Sequence, residues 1–148
     1  MKFHLFKYTC KNCGCQFKAP EIGFDAYGEF LLRSSSGETV YINAMSDSTY
    51  QEVDQLMKKL PVNQGVSAVK LAEILRKIFG IACDIDSKGQ LFSINTKPKC
   101  PSCGSNEMSY WEATEPPEYV DKEFPNVTHD KWQSMTDNEK LKLLSDSI

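Results

Sequence analysis

Apolar side chains at Tyr50, Val53, Met57 and Leu60 recur three or four positions apart, which predicts one helix over 48–60. Ser48 with Gln51 can form its capping box, and Pro61 stops the run. A second helix is predicted where Ala68, Leu71, Ala72, Leu75, Ile78 and Phe79 make one apolar face. Lys70, Glu73, Arg76 and Lys77 fall largely on the other, and Gly80 is placed as the residue that ends it. Period-two stretches flank this helical centre. Ala26–Arg33 and Glu38–Ala44, joined by Ser34-Ser35-Ser36-Gly37, predict a β-hairpin. Ile81, Cys83 and Ile85 alternate with Ala82, Asp84 and Asp86, and Ser87–Gln90 turns the chain into Leu91–Asn95, predicting a second hairpin.

The ends are patterned differently. Residues 1–23 read as strand, tight turn, strand, and Met108–Trp111 as a strand. Residues 112–130 are rich in acids and proline and predict an extended, poorly packed connector. Thr136 with Glu139 fits a capping box for a last helix carrying Leu141, Leu144 and Ile148.

Composition narrows the class. A chain of 148 residues, 41% hydrophobic and 25% charged, is long enough for its own core and has ordinary globular usage. The start, Met1-Lys2-Phe3-His4-Leu5-Phe6-Lys7, has no apolar h-region, and no run is long enough for a membrane span, so a cytoplasmic chain without membrane contact is expected. Charge is uneven: residues 1–23 carry four Lys against one Glu, residues 24–99 balance nine against nine, and residues 100–148 carry four Lys against ten acids. Four metal-bound thiolates would make the chain more acidic still, which argues against strong nonspecific nucleic-acid binding.

Six cysteines in such a chain point to metal or thiol chemistry rather than disulfides. Four of them, Cys10/Cys13 and Cys100/Cys103, form two C-x-x-C-G units. Two intervening residues let one turn present both sulfurs to one ion, and the following glycine can take positive φ so that the turn curls. All four are expected to bind a single structural Zn²⁺, with iron as the alternative that spacing does not separate. A redox C-x-x-C is the competing reading, but such motifs open a helix, whereas Gly14 and Gly104 lead into predicted strands.

The stretch Phe6-Lys7-Tyr8-Thr9-Cys10-Lys11-Asn12-Cys13-Gly14-Cys15-Gln16-Phe17 resembles the opening of FmdB-type regulatory zinc ribbons, and Cys100-Pro101-Ser102-Cys103-Gly104-Ser105 resembles their closing knuckle. With Tyr8, Phe17 and Trp111 nearby, the knuckles are also similar to rubredoxin, which implies electron transfer through an iron-tetrathiolate centre as the second function. The chain departs from both in placing 86 residues, Gly14 to Lys99, between the knuckles. The expected fold is therefore α+β: a split zinc β-ribbon (1–23 and 100–112) interrupted by an α/β insert (24–99; β-hairpin, two helices, β-hairpin), then an acidic connector and C-terminal helix (113–148).

Other residues have blander readings. Cys15 is a spare thiol or a substitute ligand, Cys83 a small buried hydrophobe, and His4 and His129 ligands only if a knuckle fails. The two helices and second hairpin could form a winged DNA-binding unit through Lys70, Arg76 and Lys77, although the segment is charge-neutral. Trp111 and Trp132 are either binding aromatics or core. No P-loop, dinucleotide fingerprint, nucleophile elbow or deaminase signature is present, and four thiolates leave no open metal position. A noncatalytic module is expected, with an unidentified protein partner, nucleic acid as a second possibility, and no small-molecule substrate.

Overall fold

The computed structural model describes residues 1–23 and 26–148; the expected start of the insert, residue 24, lies outside the described residues. Among the described residues, seven strands and four helices follow in the order β1 (Lys2–Cys10), β2 (Gln16–Glu21), β3 (Glu29–Ser34), β4 (Thr39–Asn43), α1 (Ser48–Lys59), α2 (Ala68–Ile78), β5 (Phe92–Ser93), β6 (Met108–Ala113), β7 (Tyr119–Asp121), α3 (Asp130–Gln133) and α4 (Asp137–Ser147). All strand pairs are antiparallel. Among the described residues no helix is long and apolar enough to cross a membrane.

Three layers result. The middle layer is the sheet β4-β3-β5, whose strand β3 is buried from Leu31 to Ser34. Successive strand residues face opposite sides, so Leu32 and Ile42 enter the larger core with Val53, Met57, Phe79, Trp132 and Leu144, beneath the helices. Leu31 and Tyr41, paired across β3 and β4, face the other way and meet Phe3 of β1. The outer layer is the second sheet, in which β1 pairs with β2 along one edge and with both β6 and β7 along the other. Thr114 to Glu118 loop out between the last two and are pinned back to Leu5: its carbonyl accepts from the Thr114 amide and hydroxyl, and its amide donates to the Glu118 carbonyl at 2.8 Å.

A buried ion pair ties the layers together. Arg33 on β3 points toward the outer sheet, where it meets the Glu21 carboxylate at 2.7 Å and donates to the Pro20 carbonyl at 2.6 Å; the Tyr8 hydroxyl donates to the same Glu21 carboxylate.

The first hairpin, both central helices and the last helix with its capping box form as expected. The cap of α1 is Asp47, one residue before the anticipated Ser48; its carboxylate accepts from the Tyr50 amide at 2.9 Å. The second hairpin does not form. Phe79–Ala82 is a 3-10 turn, Ile85 is exposed, and β5 pairs with β3 instead. Asp84 is drawn elsewhere: its amide donates to the Thr128 carbonyl and its carboxylate accepts from the Asp130 and Lys131 amides at the start of α3, while the Asp86 carboxylate accepts from the Lys88 and Gln90 amides within its own turn. Gly80 does not end α2 by positive φ. A Cβ there would lie 1.8 Å from the Phe92 carbonyl oxygen, so its role is to let the 3-10 turn reach β5. The segment after Glu112 is extended and largely exposed, but it is anchored at points: Tyr41 on β4 exchanges backbone hydrogen bonds with Pro125 and Val127, and Phe124 stacks edge-on against Phe3.

Candidate metal centre

Each knuckle is built by the same backbone device. In the first, the Cys10 amide donates to the Cys15 carbonyl at 2.8 Å and the Gly14 amide donates back to Cys10 at 3.0 Å. In the second, Cys100 donates to Ser105 at 2.7 Å and Gly104 to Cys100 at 2.9 Å. Gly14 and Gly104 have φ of +75° and +79°, a region that side chains with a Cβ rarely adopt, so the glycine after each pair is what closes the turn. The Lys11 amide donates to the Glu107 carbonyl at 3.0 Å and locks the two turns face to face.

That apposition brings all four sulfurs within 4.8 Å of one another, and among the described residues no other group of His, Cys, Asp or Glu converges in this way. Cys10 Sγ lies 3.5 Å from Cys103 Sγ, and Cys13 Sγ lies 3.6 Å from Cys100 Sγ. Four metal–sulfur bonds of about 2.3 Å in a tetrahedron require sulfurs about 3.8 Å apart, so the site has the size of a tetrathiolate centre and could hold a metal ion. Each knuckle supplies one buried sulfur, Cys10 or Cys100, and one exposed sulfur, Cys13 or Cys103.

The electrostatics are those of crowded thiols. The Asn12 side-chain amide and the Ser105 backbone amide hold the Cys103 thiol down at about 6, and the amides of Cys103 and Ser102 lower that of Cys100. Cys13 receives the Cys15 amide, which lowers its thiol, but burial and the three neighbouring sulfurs together drive it up to about 12. Four sulfurs this close do not ionise independently. A divalent ion removes the conflict, since a coordinated thiol is held as thiolate.

The remaining candidates lie apart from this cluster. Cys15 accepts from the Ser102 hydroxyl at 3.3 Å, beside the second knuckle. Cys83 is buried, donates to the Phe79 carbonyl at 3.6 Å and has its thiol pushed up by burial and by Asp47 and Asp84. His129 is buried between the Ala82 carbonyl and the Asp47 carboxylate, at 2.8 and 2.9 Å, where it helps to anchor α1. His4 packs against Phe6 and Tyr119. Trp132 belongs to the helical core, with its indole N–H donating to Glu52 at 2.6 Å, whereas Trp111 stays 43% exposed on β6. Lys70 on α2 meets Glu73 at 3.7 Å, and the hairpin that would have served as a wing is absent.

Sequence reasoning missed three supporting groups. Asn12 is one, legible only once the knuckles face each other. Lys97 is another, its ammonium 3.9 Å from the centre of the Trp111 ring and its pKa lowered by burial. The third is the Tyr8, Glu21 and Arg33 cluster beneath the stacked Tyr8 and Phe17 rings, where burial and then Glu21 raise the Tyr8 hydroxyl pKa. No protein-family model matches the chain, and neither does any curated protein or solved structure.

Proposed function

We propose that the chain is a noncatalytic binding or regulatory module organised by one structural zinc ion held by Cys10, Cys13, Cys100 and Cys103. The observation that carries this reading is the convergence of four sulfurs, from two matching turns, at tetrahedral spacing. When bound, zinc supplies four strong bonds and no redox chemistry, and with all positions taken by thiolate it has no place for substrate. In this reading residues 1–23 and 100–112 are a split ribbon, in keeping with the resemblance to FmdB-type proteins, and residues 24–99 are an insert whose ends the metal draws together.

The partner is read as a protein. Tyr110, Trp111 and Tyr119 stand exposed on the outer sheet at 57%, 43% and 53%, within the acidic last third of the chain. Exposed aromatics beside carboxylates suit a protein surface better than a phosphate backbone.

Metal analysis of the purified chain tests the core of this proposal. The expected result is about one zinc per chain, lost in Cys100→Ser and Cys103→Ser and retained in Cys15→Ser and Cys83→Ser. A red, iron-containing protein would replace the reading with electron transfer. Full metallation of either knuckle variant would overturn it altogether.

A further inference from the structure

A cavity of about 320 Å³ lies where the ribbon, the β3–β4 turn and the segment after β7 meet, at the small end of ligand pockets, which run about 300–1,000 Å³. Its ten lining residues include three cations, Arg33, Lys99 and Lys122, and not one carboxylate, in a chain whose net charge is -3. Three segments far apart in sequence deliver these cations to one concavity.

Their roles differ. Arg33 is 7% exposed and is already engaged by Glu21 and the Pro20 carbonyl, so its charge is compensated. Lys99 and Lys122 have no side-chain hydrogen-bond or ion-pair partner among the described residues, which leaves two uncompensated positive charges at the cavity. Lys99 is also positioned. A Cβ built on Gly37 would come 3.3 Å from its Cδ, and one built on Gly104 would come 3.3 Å from its Cε, so the alkyl stem crosses two glycines that leave it room. Thr39, opposite Arg33 in the β3–β4 ladder, brings its hydroxyl to the same face and completes the polar part of the wall, while Pro20 and Phe124 form apolar sides; the Ser34 hydroxyl is fully buried and accepts from the Glu38 amide instead. Two cations, a hydroxyl group and no carboxylate in the wall match a dianionic oxyanion.

We propose that this cavity binds a phosphoryl group, as inorganic phosphate or as the phosphate of a small phosphomonoester, with Lys99 and Lys122 as its cationic partners. None of the lining residues is a cysteine, so the proposal does not depend on which metal the knuckles hold.

The test is isothermal titration of the metal-loaded full chain with inorganic phosphate, adenosine monophosphate and adenosine at low ionic strength. Saturable binding of phosphate, the monophosphate or both is expected, and the tighter of the two identifies the source. Adenosine should not bind. The double variant K99M/K122M keeps both alkyl stems and should retain its metal and its thermal transition while binding about tenfold more weakly or worse, given the strength of hydrogen bonds to charged groups. The control K70M/K77M, on the exposed face of α2, should bind like the unaltered chain. The proposal is overturned by an absence of saturable binding to either phosphate, by adenosine binding as tightly as its monophosphate, by K99M/K122M binding unchanged, or by the control losing affinity equally.

Discussion

Stripping metal from the four-cysteine site should unfold the outer sheet around it and leave the helical layer standing, and the two tryptophans report on these parts separately. Trp111 lies on β6 in the outer sheet, with the Lys97 ammonium 3.9 Å from its ring centre. Trp132 is 1% exposed in the helical core. A structural zinc site contributes roughly 10–16 kcal/mol of apparent binding energy, comparable with the entire stability of a domain at about 5–15 kcal/mol. Around the knuckles there is little else: Tyr8 stacks on Phe17 at 5.6 Å, and both Cys13 and Cys103 are exposed. The helical side keeps a cluster of fifteen buried residues that includes no knuckle cysteine, and burying each large apolar side chain there contributes about 1.5–3 kcal/mol. The assay is tryptophan emission during chelator titration of two variants, W132F to follow Trp111 and W111F to follow Trp132. Trp111 emission should change as metal leaves, while Trp132 emission stays blue until denaturant is added. If both signals moved together at one chelator concentration, the two layers would form one cooperative unit and the reasoning would be refuted. An unmoved Trp111 would refute it from the other side.

Three further outcomes follow from the packing. Gly80→Ala forces a methyl against the Phe92 carbonyl and should destabilise the chain by about 3 kcal/mol, at the upper end of overpacking costs; a loss below about 1 kcal/mol in urea melts would show that β5 can retreat freely. Arg33→Met strands the Glu21 carboxylate beneath Tyr8 and should cost about 3 kcal/mol, whereas E21Q/R33M together should recover much of that loss, so strictly additive losses would argue against a coupled pair. Burial alone would raise the Glu52 carboxyl, but the Trp132 indole N–H and the Lys140 ammonium outweigh it and hold the pKa below its ordinary value. A depressed folded pKa contributes stability above the unfolded value of about 4.3, lost as pH falls through the folded value. Glu52→Gln should therefore weaken the Trp132-reported core at pH 7 and converge with the unaltered chain in acid; a constant gap at all pH values would contradict this.

What was legible in the sequence was local. The knuckles could be read because each is a closed turn whose ligands, glycine and hydrogen bonds lie within six residues. Thr136 likewise caps the helix it immediately precedes, as its spacing to Glu139 signals. Features set by distant partners could not be read. The alternation at Ile81, Cys83 and Ile85 had the period of a strand, but Asp84 is recruited as an acceptor by the start of α3, some forty-six residues later. Nothing local marks Arg33, at the end of a predicted strand, as buried, and only the approach of β2 makes it a partner of Glu21. The pairing of β6 and β7 along one edge of β1 has no local signature, because Thr114 binds the Leu5 carbonyl across the sheet. Short-range chemistry exposed the candidate site, whereas long-range burial decided its setting.

The place of β1 between β2 on one edge and β6 with β7 on the other has a consequence for how the chain is made. Strand β1 is made before its partners on that second edge, and 97 residues separate Cys10 from Met108, the first residue of β6. At about 5–20 residues per second, that interval lasts roughly 5–20 s. During it the growing hairpin β1–β2 carries a bare strand edge and three unescorted thiols, Cys10, Cys13 and Cys15, while the middle layer and helices are still being assembled behind it. Until the second knuckle arrives, the thiols of the first are thus open to oxidation and the free edge of β1 to strand-to-strand sticking, and that arrival closes the window.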